Sequence, residues 1–166
     1  MSAAEQALQP LIEVRASRLH GLGVFALRRI AAGTRVIEYL GERISHEEAD
    51  RRYEGKSASD NHTFLFIADE ATVIDAGVDG NEARFVNHAC DPNCESVIEQ
   101  ARVFIDAIRS IAPGEELTYD YQIQRETDDP PDIDAIFACH CGLPRCRGTM
   151  MWPPRRAPRA ARGKRR

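Results

Sequence analysis

Lysine is almost missing from this chain: of 22 basic residues only Lys56 and Lys164 are lysine, and arginine carries the rest. That bias fits a GC-rich genome. No apolar run approaches the roughly 20 residues that a bilayer span needs, which speaks against a membrane protein. The first 13 residues lack a basic stretch followed by an apolar one, so no secretory signal is expected. The cysteine count is odd: Cys90, Cys94, Cys139, Cys141 and Cys146. An odd count without a signal argues against a disulfide framework, and for metal binding or free thiols in a reducing compartment.

With 166 residues the chain has room for one domain with a real core. The net charge of −4 hides an asymmetry. Residues 155–166 carry seven positive charges and no negative one; removing those seven from −4 leaves the body at −11. An acidic body attracts a basic substrate, whereas a basic tail attracts nucleic acid or another polyanion.

Strand-like runs are many and short: 24–27, 36–40, a hairpin from 63–67 and 72–76, then 96–98, 103–107 and 116–121. Residues 45–53 read as a helix, with Ser45 as N-cap and Glu48 completing a capping box. A loop is expected over 54–62 and a short helix over 80–85. Strands and helices do not alternate regularly, which excludes a doubly wound sheet. Residues 123–136 read as an acidic, Pro-containing linker, and 152–166 as a disordered basic tail.

The densest chemistry lies in Arg84-Phe85-Val86-Asn87-His88-Ala89-Cys90-Asp91-Pro92-Asn93-Cys94. Amides, an imidazole and thiols at that density mark a site rather than a packing element. Cys139, Cys141 and Cys146 form a C-x-C-x4-C knuckle, one ligand short of a closed zinc site. The fourth ligand must come from afar. Of Cys90 and Cys94, Cys90 is the better choice because it adjoins Asn87 and His88, and Cys94 can serve as a small buried hydrophobe.

Taken together, these runs resemble a SET-domain protein lysine methyltransferase with a post-SET zinc knuckle, in particular the trithorax-type histone methyltransferases. The resemblance rests on His20-Gly21-Leu22-Gly23-Val24-Phe25-Ala26, Glu38-Tyr39-Leu40-Gly41-Glu42, the Arg84 to Cys94 run, Pro113-Gly114-Glu115-Glu116-Leu117-Thr118-Tyr119-Asp120-Tyr121, and Cys139-His140-Cys141-Gly142-Leu143-Pro144-Arg145-Cys146-Arg147-Gly148, in that order. It implies a mainly β fold with short helices: several small curved sheets, with the segment at Asn87 and His88 threaded under the 119–121 run in a pseudoknot. The implied organisation is a SET domain over 12–122 and a post-SET segment over 137–151, flanked by the linker and tail.

The resemblance implies S-adenosylmethionine as cofactor and one structural zinc held by Cys90, Cys139, Cys141 and Cys146. His20, Gly21, Leu22, Gly23, Phe64, Arg84, Phe85, Asn87, His88 and His140 would form the cofactor site. The glycines, lacking side chains, would let the backbone come close. Tyr121, Tyr119 and Tyr39 would carry the catalytic roles. Tyr121 would orient the amine, Tyr39 and Phe64 would line the lysine channel, and Tyr119 would limit methylation to one or two methyl groups. The expected substrate is a lysine in a basic protein such as a histone, a histone-like or a ribosomal protein. The basic tail would contact nucleic acid, the molecule would be a monomer, and it would work inside the cell at a nucleoid or in the nucleus. The alternative is a catalytically silent module that binds cofactor or peptide.

Overall fold

The computed structural model describes residues 10–54 and 64–154. Most of the expected loop over 54–62, the residue Thr63 and the tail from 155 onward lie outside the described residues. Among the described residues no strand exceeds six residues, and the strands form four small sheets. One has the order β1 (Ile12–Ala16), β2 (Leu22–Ala26), β10 (Glu116–Tyr119), β7 (Asn87–His88). A second runs β3 (Arg35–Tyr39), β9 (Arg102–Ala107), β8 (Cys94–Glu99). A third runs β4 (Glu42–Ile44), β6 (Val73–Asp75), β5 (Leu65–Ile67). The fourth pairs β11 (Ile123–Gln124) with β12 (Met151–Trp152). The mainly β expectation holds. Among the described residues no helix is long and apolar enough to cross a membrane.

Two apolar clusters hold the sheets together. One joins Val24, Val86, Ile105, Leu117 and Tyr119; the other joins Tyr39, Ile74, Ala83 and Val103. β2 is buried at four consecutive positions, Gly23 to Ala26, so it reads as a continuous apolar run rather than an alternating one. Even its Phe25 is covered, by the Arg15 guanidinium 3.6 Å above the ring.

Ser45 caps α1 (His46–Tyr53) as expected: its hydroxyl accepts from the Glu48 N–H at 3.1 Å. The Glu48 carboxylate does not close the box. It turns to Arg51 and Arg52 instead, pairing with Arg52 at 2.7 Å. Only Ala49 of this helix is buried, so apolar packing holds it weakly. A polar anchor compensates: the buried Asp75 carboxylate accepts from Tyr53 Oη at 2.9 Å and Arg52 at 3.1 Å. β4 went unseen in the sequence because three residues carry no readable period. Gly41 makes it fit, since a Cβ there would lie 2.6 Å from the Asp75 carbonyl oxygen.

The β8–β9 hairpin closes through Gln100 and Ala101, with Glu99 opposite Arg102. Both turn residues have positive φ, 51° and 57°. A two-residue loop of that shape favours Asn-Gly, because only such residues enter the left-handed region cheaply. Ala101→Gly is therefore expected to stabilise the fold by roughly 0.5–1 kcal/mol, read as a shift in the urea unfolding midpoint. No shift, or a loss, would mean that the turn stores no strain.

Candidate functional site

The site forms where two distant segments meet. β7 lies parallel to β10, with Asn87 opposite Thr118 and His88 opposite Tyr119. Parallel partners need a long crossover, and here most of sheet two supplies it. A two-residue pair offers few ladder bonds, so side chains add to it. The buried Asn93 amide donates to the Glu116 carbonyl at 2.8 Å, and its oxygen accepts from the Thr118 N–H at 2.9 Å. Nδ1 of His88 accepts from the Tyr121 N–H at 3.1 Å. The Tyr121 hydroxyl donates to the Val86 carbonyl at 2.8 Å.

These contacts assemble an aromatic column. Tyr119 and Tyr121 stand 4.7 Å apart between ring centroids, and Tyr121 meets the His88 ring at 5.3 Å. Phe66 bridges Tyr119 at 6.3 Å and Tyr39 at 5.4 Å. The Tyr39 hydroxyl donates to the Phe64 carbonyl at 3.0 Å. Burial pushes all three phenols above the usual tyrosine range, so they stay neutral at physiological pH. Phe64, like Phe66, packs against the cluster that holds Tyr39. Its ring packs edge-on against Phe85 at 5.8 Å, with the Arg84 guanidinium over both rings. The residue between Tyr39 and Tyr119 is thus Phe66, which the sequence reading passed over.

Beside the column lies the β1–β2 turn. Nδ2 of Asn87 faces three acceptors: the His20 carbonyl at 3.2 Å, the Leu22 carbonyl at 2.9 Å and Glu116 Oε1 at 2.9 Å. With acceptors on that side, the amide orientation is fixed and its oxygen faces away from them. Ser17 Oγ donates to the same carboxylate at 2.8 Å. Glu116 thereby ties β10 to the turn. The two glycines differ in purpose. Gly21 takes a left-handed φ of 45°, which the turn requires. Gly23 leaves room for Glu116, whose Oε1 would lie 2.3 Å from an added Cβ. The neighbour that explains Gly23 is this carboxylate.

Cys90, Cys139, Cys141 and Cys146 converge, all four sulfurs lying within 4.8 Å of one another. Cys90 and Cys139 are 3.6 Å apart, far beyond a disulfide, and all are free thiols. Four sulfurs around a metal at ~2.3 Å make a tetrahedron with edges of about 3.8 Å, so this donor set fits a closed structural zinc site. Backbone N–H groups of Arg147 and Gly148 point at Cys90 and Cys146, each at 3.4 Å, the stabilisation that thiolate ligands require. His88 Nε2 adds a contact to Cys90 at 3.4 Å. Cys94 lies outside the cluster, fully buried, and burial pushes its thiol up to about 12. His140 is exposed and outside the cluster, as is the side of the turn carrying His20. Between the column and the cluster, across residues 123–136, lie β11 and a single helical turn, α2 (Ile133–Ile136), whose Ile133 is buried.

Three polar residues of the site were not legible as such. Ser17, Glu116 and Asp120 have ordinary identities, and their importance comes only from what faces them. Glu116 and Asp120 do stand in the 115–121 run, the one signal available.

Gly23→Ala is expected to destabilise by about 1–3 kcal/mol in urea unfolding, because Glu116 cannot retreat without losing Ser17 and Asn87. An unchanged midpoint would show that the carboxylate is free to move. For the cluster, Cys90→Ser should lower the metal content of the purified protein, whereas Cys94→Ala should leave it unchanged. Equal loss in both, read by elemental analysis, would break the four-sulfur assignment.

The comparisons with known proteins agree with this geometry. Residues 21–122 match the family model of the SET domain. The chain is 44% identical over 137 residues to the H3 lysine-4 specific histone-lysine N-methyltransferase of Saccharomyces cerevisiae, covering 80% of this chain and 12% of that protein. It is 42% identical over 143 residues to histone-lysine N-methyltransferase 2B of Homo sapiens, covering 82% of this chain and 5% of that protein. It thus spans only a small part of the length of these relatives. Among solved structures, a crystal structure of an active polycomb repressive complex 2 in the stimulated state aligns with a TM-score of 0.63 at 35% identity, over 72% of this chain and 16% of that one. With a family model matched over more than half its length, this chain belongs to the SET-domain family.

Proposed function

We propose that this protein is an S-adenosylmethionine-dependent protein-lysine N-methyltransferase. The observation that carries the reading is the buried column of neutral phenols formed by Tyr39, Tyr119 and Tyr121 beside Asn87 and the 20–23 turn. S-adenosylmethionine, when bound, supplies a methyl group on a positively charged sulfur. The turn at His20 to Gly23, with Asn87 and His88, would hold it; Arg84, Phe85, Phe64 and His140 would complete the pocket.

The chain's own residues then have definable tasks. A lysine amine must be neutral to attack carbon, and a dry aromatic column disfavours its charged form. Tyr39, Phe66 and Tyr119 supply those walls. Tyr121 donates its hydroxyl hydrogen bond to the Val86 carbonyl, which leaves the lone pairs of its oxygen as acceptors. An acceptor there can take a hydrogen bond from the amine, or weak C–H···O contacts from a polarised methyl group. No strong base is needed at the reacting carbon; alignment supplies most of the effect. Tyr119 would restrict the space for further methyl groups, favouring mono- or dimethylation.

The substrate class follows from charge and kinship. The acidic body suits a basic peptide. The relatives are by name histone-lysine methyltransferases of eukaryotes, which supports a histone or histone-like substrate and chromatin as the place of work. Zinc in the four-cysteine cluster would be structural. The basic tail would add contact with nucleic acid.

Incubation with radiolabelled S-adenosylmethionine, histones and cell lysate should label a basic protein, and Tyr121→Phe should reduce the label by roughly 10²-fold, the cost of a misplaced reacting group. No band above that control would favour the silent, binding-only module. In the same assay Tyr119→Phe should shift products towards higher methylation by mass spectrometry. An unchanged product spectrum would remove Tyr119 from its role.

A further inference from the structure

Arg147 touches both halves of the site. Its guanidinium makes a two-pronged ion pair with Asp120, Nη1 to Oδ2 at 2.7 Å and Nη2 to Oδ1 at 2.8 Å. Both side chains are largely covered, at 17% and 15% exposure, so solvent screens the pair only partly. The backbone N–H of the same Arg147 donates to Cys90 Sγ at 3.4 Å. Its guanidinium also lies 5.3 Å from the Trp152 ring on β12.

Asp120 stands between the two column tyrosines. Its carboxylate approaches Nδ1 of His88 at 3.5 Å, and that nitrogen accepts the Tyr121 N–H. His88 in turn reaches Cys90 through Nε2 at 3.4 Å. The contacts close a ring: Cys90, His88, Tyr121, Asp120, Arg147, and back to Cys90. Three of its links are uncharged polar contacts, and a fourth is the peptide bond between Asp120 and Tyr121. The Arg147–Asp120 fork is the only charged link, and its planar geometry fixes orientation as well as distance.

We infer that Arg147 is a positioning residue, whose fork on Asp120 couples the closed cysteine cluster to the placement of Tyr119 and Tyr121. When the cluster is closed, the Arg147 backbone is held at Cys90 and its side chain fixes the 119–121 run. When the cluster opens, the fork loses its anchor. Conversely, loss of the fork loosens the knuckle and frees the metal. The link runs in both directions, as any coupling between two sites must. The catalytic arm of this inference rests on the methyltransferase reading; the metal arm does not.

The test uses the full chain with Arg147→Met, Arg147→Lys, Asp120→Asn and the double variant Arg147→Met/Asp120→Asn. Three quantities are read: transfer of zinc to a colorimetric chelator, kcat with histone and S-adenosylmethionine, and thermal unfolding. Asp120→Asn touches no sulfur, yet it should speed zinc release at least fivefold while zinc stays at one per chain at the start. Arg147→Met and Asp120→Asn should each lower kcat about tenfold, and Arg147→Lys should fall between them and the parent. The double variant leaves no unpaired buried charge, so its unfolding temperature should recover. Its kcat should not.

Recovery of kcat together with stability would reduce the pair to charge balance and overturn the inference. So would zinc release from Asp120→Asn within twofold of the parent. A parent that transfers no methyl group would instead overturn the methyltransferase reading. The zinc-release comparison would still decide the coupling.

Discussion

Everything at this site depends on a contact two residues long. Asn87 and His88 lie beside Thr118 and Tyr119 in parallel, and the chain between them supplies two of the three strands of a separate sheet. Such a contact closes a long loop for very few backbone bonds. Its stability must come from side chains that imitate backbone. Asn93 does so most completely, donating to one β10 carbonyl and accepting from one β10 N–H. Tyr121 adds two more such bonds, its N–H to His88 Nδ1 and its hydroxyl to the Val86 carbonyl.

This arrangement explains why the polar groups of the 84–94 segment are so dense. Asn87 faces the turn, His88 faces both Tyr121 and Cys90, Cys90 faces the knuckle and Asn93 faces β10. Each side chain serves a different neighbour. The 20–23 turn, the aromatic column and the four-cysteine cluster can therefore adjoin within one short stretch. Within the column Phe66 packs against Tyr39 and Tyr119, and burial raises the Tyr119 phenol well above its usual range.

Much of the fold was legible. The α1 cap at Ser45, the hairpin around β5 and β6, and the strands at 103–107 and 116–119 followed from local chemistry. The four-sulfur set was legible from spacing and elimination, because only Cys90 and Cys94 could supply the distant member. Other features were not. The β8–β9 turn uses Gln100 and Ala101, residues with no turn preference, held in place by the strands they join. Phe66 was hidden behind Phe64, two positions away on the same short strand region. Side-chain alternation alone could not say which of them bridges Tyr39 to Tyr119. Nor does the sequence show that a carboxylate from 93 residues downstream lies against Gly23.

The sequence by itself determined which chemical groups this protein owns. It set the phenols, the thiols, the amides and the capped helix, because each depends on residue identity or on neighbours within a few positions. The tertiary structure alone decided which of those groups face one another. The ring from Cys90 through His88, Tyr121, Asp120 and Arg147 is closed by a contact between residues 57 positions apart, Cys90 and Arg147. Its members carry no mutual signal in the sequence. Their partnership arises from packing, because burial makes an unpaired charge or amide costly and leaves few arrangements in which all of them are satisfied.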